Sequence, residues 1–411
     1  MEKQKSPKIR FKGFDQNWIE KNFGDFSSVQ MCRRIFKSET KTKDEVPFFK
    51  IGTFGSIPDA FISRELYQEY IDKYPYPEIG DVLISASGTI GRTVIYKGES
   101  AYYQDSNIIW LKLDKSKISN NFLLPFYALM RWNNIEGSTI KRLYNSDLLS
   151  TKISYPILSE QESIGIFFQN LDQSIALQEK KFAQTQNLKK AMLERMFPKA
   201  GSKQPEIRLK GFSGDWVNSQ LSNFISIKHG FAFDGAYFSE IETNLCLLTP
   251  GNFMIGGGFK AEKFIYYNGE VPENYILQEN DLLVTMTDLS KESDTLGLPA
   301  LLPLIRGKTL LHNQRLGLIS FDKDELDKGF LFYLLQTESY HKYIVLSATG
   351  TTVKHTSPNK ILAFVCDVPE FEEQKAIGQF FKQLDKTLVL QQQQLQTLKN
   401  LKQAFLEKMF V

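Results

Sequence analysis

The chain repeats itself at its edges and not in its interior, which restricts it to folds built twice on one frame. Pro7-Lys8-Ile9-Arg10-Phe11-Lys12-Gly13-Phe14 returns as Pro205-Glu206-Ile207-Arg208-Leu209-Lys210-Gly211-Phe212, and Trp18 returns as Trp216, at a constant shift of 198. A second block runs from Gln161 through Ile164-Gly165, Phe167-Phe168 and Leu171-Asp172 to Leu193-Glu194-Arg195-Met196-Phe197. It returns at a shift of 213, as Gln374, Ile377-Gly378, Phe380-Phe381, Leu384-Asp385 and Leu406-Glu407-Lys408-Met409-Phe410. The stretches between these blocks barely resemble each other, and the second is longer by 15 residues. A repeated scaffold around divergent interiors implies one architecture presenting two different surfaces.

The second block has the period of a coiled-coil seam. Ile164, Phe168, Leu171, Ile175, Gln178, Phe182, Thr185, Lys189, Met192 and Met196 fall on a 3,4 ladder with no proline among them. The copy gives Ile377, Phe381, Leu384, Leu388, Gln391, Leu395, Leu398, Lys402, Phe405 and Met409. Each helix would run about 55 Å at 1.5 Å per residue. One small domain cannot hide such a helix, and pairing the two copies antiparallel buries both seams. Gln178 and Gln391 interrupt the ladders at equivalent places, where a polar residue costs stability and fixes register. Asn120–Trp132 reads as a shorter helix and Leu326–Tyr343 as its counterpart. Val82-Leu83-Ile84, Ile108-Ile109-Trp110-Leu111, Leu282-Leu283-Val284 and Leu316-Gly317-Leu318-Ile319 read as strands. The expected organisation is a mixed α/β domain over 1–158, a long helix over 159–198, a breaker-rich linker over 199–204, a second domain over 205–371 and a second long helix over 372–411.

Composition excludes several classes. Aromatic residues make up 13% of the chain, enough for real cores, and 50 basic against 47 acidic residues leave a net charge of only +3, so a basic surface must be local. Cys32, Cys246 and Cys366 are too few and too scattered for a disulfide framework or a zinc cluster and read as buried thiols of a reducing cytosol. No apolar run approaches the length that spans a bilayer, and the N-terminus carries no signal-peptide pattern, so a soluble, cytoplasmic protein is expected. Gly307-Lys308-Thr309 lacks the upstream glycine of a phosphate-binding loop, because Leu302 stands there. His229, His312, His341 and His355 sit in no metal-binding spacing. Neither the tetrapeptide with which amino methyltransferases hold a flipped base nor the acidic pattern of a metal-dependent nuclease is present. The chain is expected to do no chemistry alone and to bind no cofactor or metal itself.

Recognition chemistry is better represented. Ser85-Ala86-Ser87-Gly88-Thr89-Ile90-Gly91-Arg92 follows a predicted strand, and its hydroxyls, glycines and arginine suit phosphates or a guanine edge. Tyr102-Tyr103-Gln104-Asp105-Ser106-Asn107 supplies amides and aromatics, with Tyr103, Gln104 and Asn107 as candidates. In the second half Thr285, Thr287 and Lys291 stand after the equivalent strand, and His312-Asn313-Gln314-Arg315 aligns with Gln104–Asn107. Near each domain's exit lies a further polar loop, holding Lys141 and Arg142 in one and Thr351, Thr352 and Lys354 in the other. Arg33 and Arg34 near the start of the first domain pair roughly with Lys228. Loops that recur with different side chains are what two related readers of different DNA sequences need.

With these residues in view, the chain resembles the specificity subunit of a type I restriction-modification system over essentially its whole length. The resemblance rests on the duplicated Ile-Arg-x-Lys-Gly-Phe segments, on Gly80-Asp81-Val82-Leu83 and Asn280-Asp281-Leu282-Leu283, on His312-Asn313-Gln314, and on Pro156, Glu160-Gln161 and Pro369, Glu373-Gln374. It implies an α+β fold: two mixed α/β target-recognition domains, joined and separated by two long helices that form an antiparallel coiled coil. It implies that each domain reads half of a bipartite, asymmetric site in double-stranded DNA, with the coil setting the spacing. Two modification subunits using S-adenosylmethionine to methylate adenine, and restriction subunits using ATP and Mg, are the implied partners; no membrane is involved. A stand-alone DNA-binding or anti-restriction module of the same fold, and an enzyme with an unrecognised site, are the competing readings. The seam itself gives the first prediction: replacing Gln178 and Gln391 together by Leu should raise the melting temperature and loosen helix register, and an unchanged melting temperature would count against a registering role.

Overall fold

In the computed structural model, residues 6–130, 132, 142–288, 290, 293–321 and 325–410 are described. Two helices of 38 and 39 residues, Leu158–Arg195 and Phe371–Met409, carry the frame. The chain divides into two compact units, one made of the chain up to Glu179 together with Gln393 onward, the other of Lys180–Gln392. Each unit therefore contains the start of one long helix and the end of the other.

Within each unit the two helix segments run antiparallel. In the first, Lys402 Nζ meets Asp172 Oδ1 at 2.5 Å, Lys399 Nζ meets Glu179 Oε1 at 2.7 Å, and the Phe167 and Phe405 rings lie 4.9 Å apart. In the second, Lys189 Nζ meets Asp385 Oδ1 at 2.7 Å and the Phe197 and Phe381 rings stack at 6.2 Å. Lys189 and Lys402, which interrupt the apolar ladders, thus pair with the aspartates of the repeated Leu-Asp, so the charge on the seam is compensated twice in the same way. Gln178 donates its side-chain amide to Gln394 Oε1 at 3.0 Å. Along the middle of the first helix only Ile175, Gln178, Phe182, Thr185 and Lys189 are partly sheltered, while the positions between them are exposed. Phe168, Leu171 and Phe381 are buried, and Leu384, Leu388, Gln391 and Leu395 are intermediate. Phe168 and Phe381 are also core residues of the domains they enter.

Each unit contains a four-stranded antiparallel sheet of the same order. It runs Ser27–Gln30, Ile108–Leu113, Val82–Ser85, Thr93–Ile95 in the first, and Ile225–His229, Leu316–Phe321, Leu282–Thr285, Pro299–Leu301 in the second. The strand Val82–Ser85 is buried on both faces, which is why it reads as a continuous apolar run. Val82 and Ile84 face a core with Trp18, Phe122 and Phe168, while Leu83 faces a second core with Phe48, Tyr102 and Tyr103. Each unit carries a further sheet, three-stranded in the first and five-stranded in the second, besides two-stranded pairings. The expected helix 326–343 is two helices, Lys328–Leu334 and Glu338–Ser347. Thr337 divides them because its hydroxyl accepts the Tyr340 N–H as an N-cap. The shorter helix of the first unit is Asn120–Leu129.

The repeated motifs are the fastenings of this frame. Arg10 grips the buried Glu160 through two parallel bonds, Nε to Oε1 at 2.6 Å and Nη2 to Oε2 at 2.8 Å. Arg208 grips the buried Glu373 in the same way, at 2.8 and 2.7 Å. Next to each glutamate, Gln161 accepts the Ser119 N–H and donates to the Lys117 and Pro156 carbonyls, while Gln374 accepts the Asp327 N–H and donates to those of Glu325 and Pro369. Gly165 and Gly378 follow because no side chain fits. A Cβ on Gly165 would lie 2.6 Å from the Asn121 Cβ, and one on Gly378 3.0 Å from the Gly329 backbone. A buried carboxylate stripped of its partner is expensive, so Arg208→Met should destabilise the second unit by about 3–5 kcal/mol. Adding Glu373→Met to Arg208→Met should recover most of that loss in a denaturant titration; no recovery would show that the pair is not what holds the strap.

Candidate nucleic-acid interface

The recurring polar loops come together in each unit by backbone hydrogen bonds of the same pattern. In the first unit the loop after the Val82–Ser85 strand closes on itself. Ser85 N–H donates to Arg92 O at 2.9 Å and Gly91 N–H to Ser85 O at 3.0 Å, with Gly91 at φ +84°. The next residue, Ala86, joins two other loops: its N–H donates to Asn107 O at 2.7 Å and its carbonyl accepts the Leu143 N–H at 2.8 Å. Ser87 pairs with Arg142 and donates its hydroxyl to Asn107 Oδ1 at 2.8 Å, while Arg142 Nη2 reaches Ser106 O at 3.2 Å.

The second unit repeats this lacing with different side chains. Thr285 N–H donates to Leu298 O at 3.1 Å and Gly297 N–H to Thr285 O at 3.0 Å. Met286 then donates to Arg315 O at 2.8 Å and accepts the Thr356 N–H at 3.0 Å. Thr287 pairs with His355, and Asp288 with Lys354. The Thr287 Oγ1 and His355 Nδ1 atoms lie 3.2 Å apart. Ser85 and Thr285, Ala86 and Met286, Asn107 and Arg315, and Leu143 and Thr356 are therefore structural counterparts. The second loop is longer and is tied internally by Asp288, which accepts the Ser290 N–H and the Thr295 N–H at 2.6 Å and the Thr295 hydroxyl at 2.8 Å. Burial pushes the Asp288 carboxyl up, and these hydrogen bonds together hold it below the ordinary aspartate value.

Several candidates face outward from the lacing. Thr89, Arg92, Arg142, Gln314, Arg315, Thr351 and Thr352 are exposed, and Ser87, Gln104, Asn107, Asn313 and Lys354 are half-buried. Arg92 also donates to Phe54 O at 2.8 Å, and Gln104 Oε1 accepts the Ile51 N–H. Arg33 and Arg34 lie over the rings of Tyr74 and Phe36 at 5.2 and 5.7 Å, and Lys228 lies over Tyr275 at 4.4 Å while donating to Asn274 O.

Other candidates are interior. Ser85 is buried, donates to Thr89 O at 2.6 Å and accepts the Arg92 N–H, so it fastens its loop instead of facing a ligand. The buried Thr285 hydroxyl does the same to Thr295 O. Thr287 is buried beneath His355. Tyr103 is buried, stacked on Phe49, and donates to Glu99 Oε1, so it is no stacking platform for bases. His312 is fully buried, with Nε2 3.0 Å from Leu316 O, and burial lowers its pKa to about 4, leaving a neutral ring. Lys141 and Lys291 lie outside the described residues. Sequence reasoning passed over His355, which is exposed and occupies the place of Arg142. Only the alignment of Leu143 with Thr356 reveals it, and no shared motif marks that alignment. Among the described residues no three His, Cys, Asp or Glu side chains gather as a metal site, and no helix is long and apolar enough to cross a membrane. All three cysteines are buried and unbridged.

The duplicated frame carries its laced loops twice, and comparison with known proteins assigns the chain to a family. The family model described as the type I restriction modification DNA specificity domain matches residues 15–187 and 214–400. The chain belongs to this family. A Haemophilus influenzae protein named as a type I restriction enzyme specificity subunit is 55% identical over 141 residues, spanning 34% of this chain and 37% of that relative. The type I restriction enzyme MjaVIII specificity subunit of Methanocaldococcus jannaschii is 22% identical over 331 residues, covering 77% of this chain and 72% of its own. The fold is similar to the crystal structure of a type I restriction-modification S subunit from M. genitalium, with a TM-score of 0.61 at 14% identity over 99% of both chains. It is also similar to a solved chain of the type I R-M system, with a TM-score of 0.54 at 14% identity over 95% of this chain and 97% of that one.

The division between fasteners and outward side chains can be measured. Ser85→Ala should destabilise the first unit by about 1–3 kcal/mol, because two hydrogen bonds are lost in the interior. Arg142→Ala should cost less than about 0.5 kcal/mol, as exposed substitutions do. Equal losses in thermal unfolding would mean that both residues are structural.

Proposed function

We propose that this chain is the non-catalytic specificity subunit of a type I restriction-modification complex, each unit reading one half of a bipartite, asymmetric site in double-stranded DNA. The observation that carries this reading is the lacing. The same three loops are joined by the same backbone bonds twice, while the residues at equivalent places change from Ser87, Arg142 and Asn107 to Thr287, His355 and Arg315. Backbone conserved between copies with side chains that diverge is the arrangement that lets two readers address different bases.

Two modification subunits dock on the repeated helices in this reading. Leu177 and Leu390, and likewise Leu188 and Leu401, stand at equivalent places on the two helices and are exposed. Apolar residues left in solvent twice, at the same positions, suit a partner that binds the same face twice. The modification subunits supply adenine methylation with S-adenosylmethionine, and restriction subunits supply DNA cleavage with ATP and Mg. Such a complex works in the cytoplasm, where its DNA is.

The test is a genome-wide map of N6-methyladenine in cells expressing this chain with its modification subunit, against cells lacking the chain. A split, asymmetric motif should vanish with the chain. Arg92→Ala should relax or weaken one half of that motif only, by about 1–3 kcal/mol if it reads a base. Leu177→Glu with Leu390→Glu should abolish methylation and co-purification of the modification subunit while leaving the melting temperature unchanged. Methylation indifferent to the chain, with an active modification subunit present, would overturn the reading in favour of a stand-alone binder.

A further inference from the structure

We infer that His355 is a DNA-contacting residue of the second unit, held in place by Thr287, and that it does for the second half-site what Arg142 does for the first. The inference rests on the reading above and adds a residue that no sequence motif marks.

Three observations converge on it. The first is position. Leu143 N–H bonds to Ala86 O, and Thr356 N–H bonds to Met286 O, so the residues just before them, Arg142 and His355, occupy one place in two copies. Each pairs with the residue after the lacing point, Arg142 with Ser87 and His355 with Thr287. The second is exposure. His355 is exposed although its strand partner Thr287 and the neighbouring Thr356 are buried, so the ring stands at the surface on a rigid base. The third is orientation. Thr287 Oγ1 lies 3.2 Å from His355 Nδ1, which engages one ring nitrogen and leaves Nε2 as the remaining polar atom.

The base beneath the ring is fastened on several sides. Thr349 and His355 exchange both backbone hydrogen bonds, at 2.9 and 2.8 Å, closing the hairpin that carries Thr351 and Thr352. Asp288, next to Thr287, is locked by its own three hydrogen bonds. Arg315 is joined to the same point through Met286 and adds the cationic group that Arg142 supplies in the other copy. In a DNA-reading unit, a ring nitrogen held in this way is placed to hydrogen-bond nucleic acid. Its partner can be a base edge in the groove or a phosphate oxygen, and the two are separated by sequence dependence.

The experiment uses the full chain in complex with its modification subunit. The probes are two duplexes, one carrying the bipartite motif found by methylation mapping and one with the second half-site scrambled. His355→Ala should weaken binding to the motif duplex by about tenfold or more, within the range of a lost base contact. If affinity for the scrambled duplex is unchanged, His355 reads a base. An equal loss on both duplexes makes it a phosphate contact. Either outcome supports the assignment. Thr287→Val, which keeps the shape of a buried residue and removes the hydroxyl, should give a smaller loss on the same duplexes and serves as a second readout should His355→Ala fold poorly. Wild-type affinity for the motif duplex in both variants would overturn the inference alone. A wild-type complex that binds both duplexes equally would overturn the half-site reading and the inference with it.

Discussion

The structure depends on one strap, the Ile-Arg dipeptide near the start of each repeat. Ile9 N–H donates to Lys408 O at the end of one long helix, and Arg10 grips Glu160 near the start of the other. Ile207 and Arg208 do the same with Arg195 O and Glu373. The backbone bond satisfies a carbonyl that the last turn of a helix leaves without an internal partner. The ion pair is formed by a carboxylate that burial would otherwise make very costly. A strap can close only where the start of one helix and the end of the other meet, so it fixes their register within each unit. The seam then tolerates polar residues, and Lys189 and Lys402 each find the aspartate of the repeated Leu-Asp.

Because the frame is closed from inside, the laced loops are free to differ. Their fastening is hidden and their variation is exposed. Ser85 and Thr285 are both buried hydroxyls that tie back to a carbonyl of their own loop. Nothing about such a residue needs to change when the outward side chains change. Arg142 and His355 sit on the same backbone place and differ completely in chemistry.

The frame was legible because it repeats: Phe168, Phe381, the Glu-Gln pairs and the glycines Gly165 and Gly378 are written at fixed shifts, and the helices begin one residue before the expected 159 and 372 and end three and two residues before 198 and 411. The order of the candidate loops was legible for the same reason. Burial was not. Ser85, Tyr103, Thr285 and His312 have side chains suited to nucleic acid, and only the packing around them shows that they are spent inside. A hydroxyl that fastens and one that reads are the same group in a sequence. His355 was missed for the converse reason, since its counterpart is an arginine and the hairpins around them share no residues.

The longer second loop shows how such a loop can change without disturbing what holds it. Both loops leave at a buried hydroxyl, Ser85 or Thr285, and return at a glycine of positive φ, Gly91 or Gly297. A side chain at either glycine would collide with the wall behind it, Trp132 in one unit and Ile344 in the other. The two closing points are thus fixed by sterics, whereas the length between them is not. Added residues bring backbone groups that need partners, and Asp288 supplies them from within the loop by accepting from Ser290 and Thr295. A loop tied by Asp288 between fixed closing points can differ in length from its counterpart, while the sheet, the strap and the helices remain as they are.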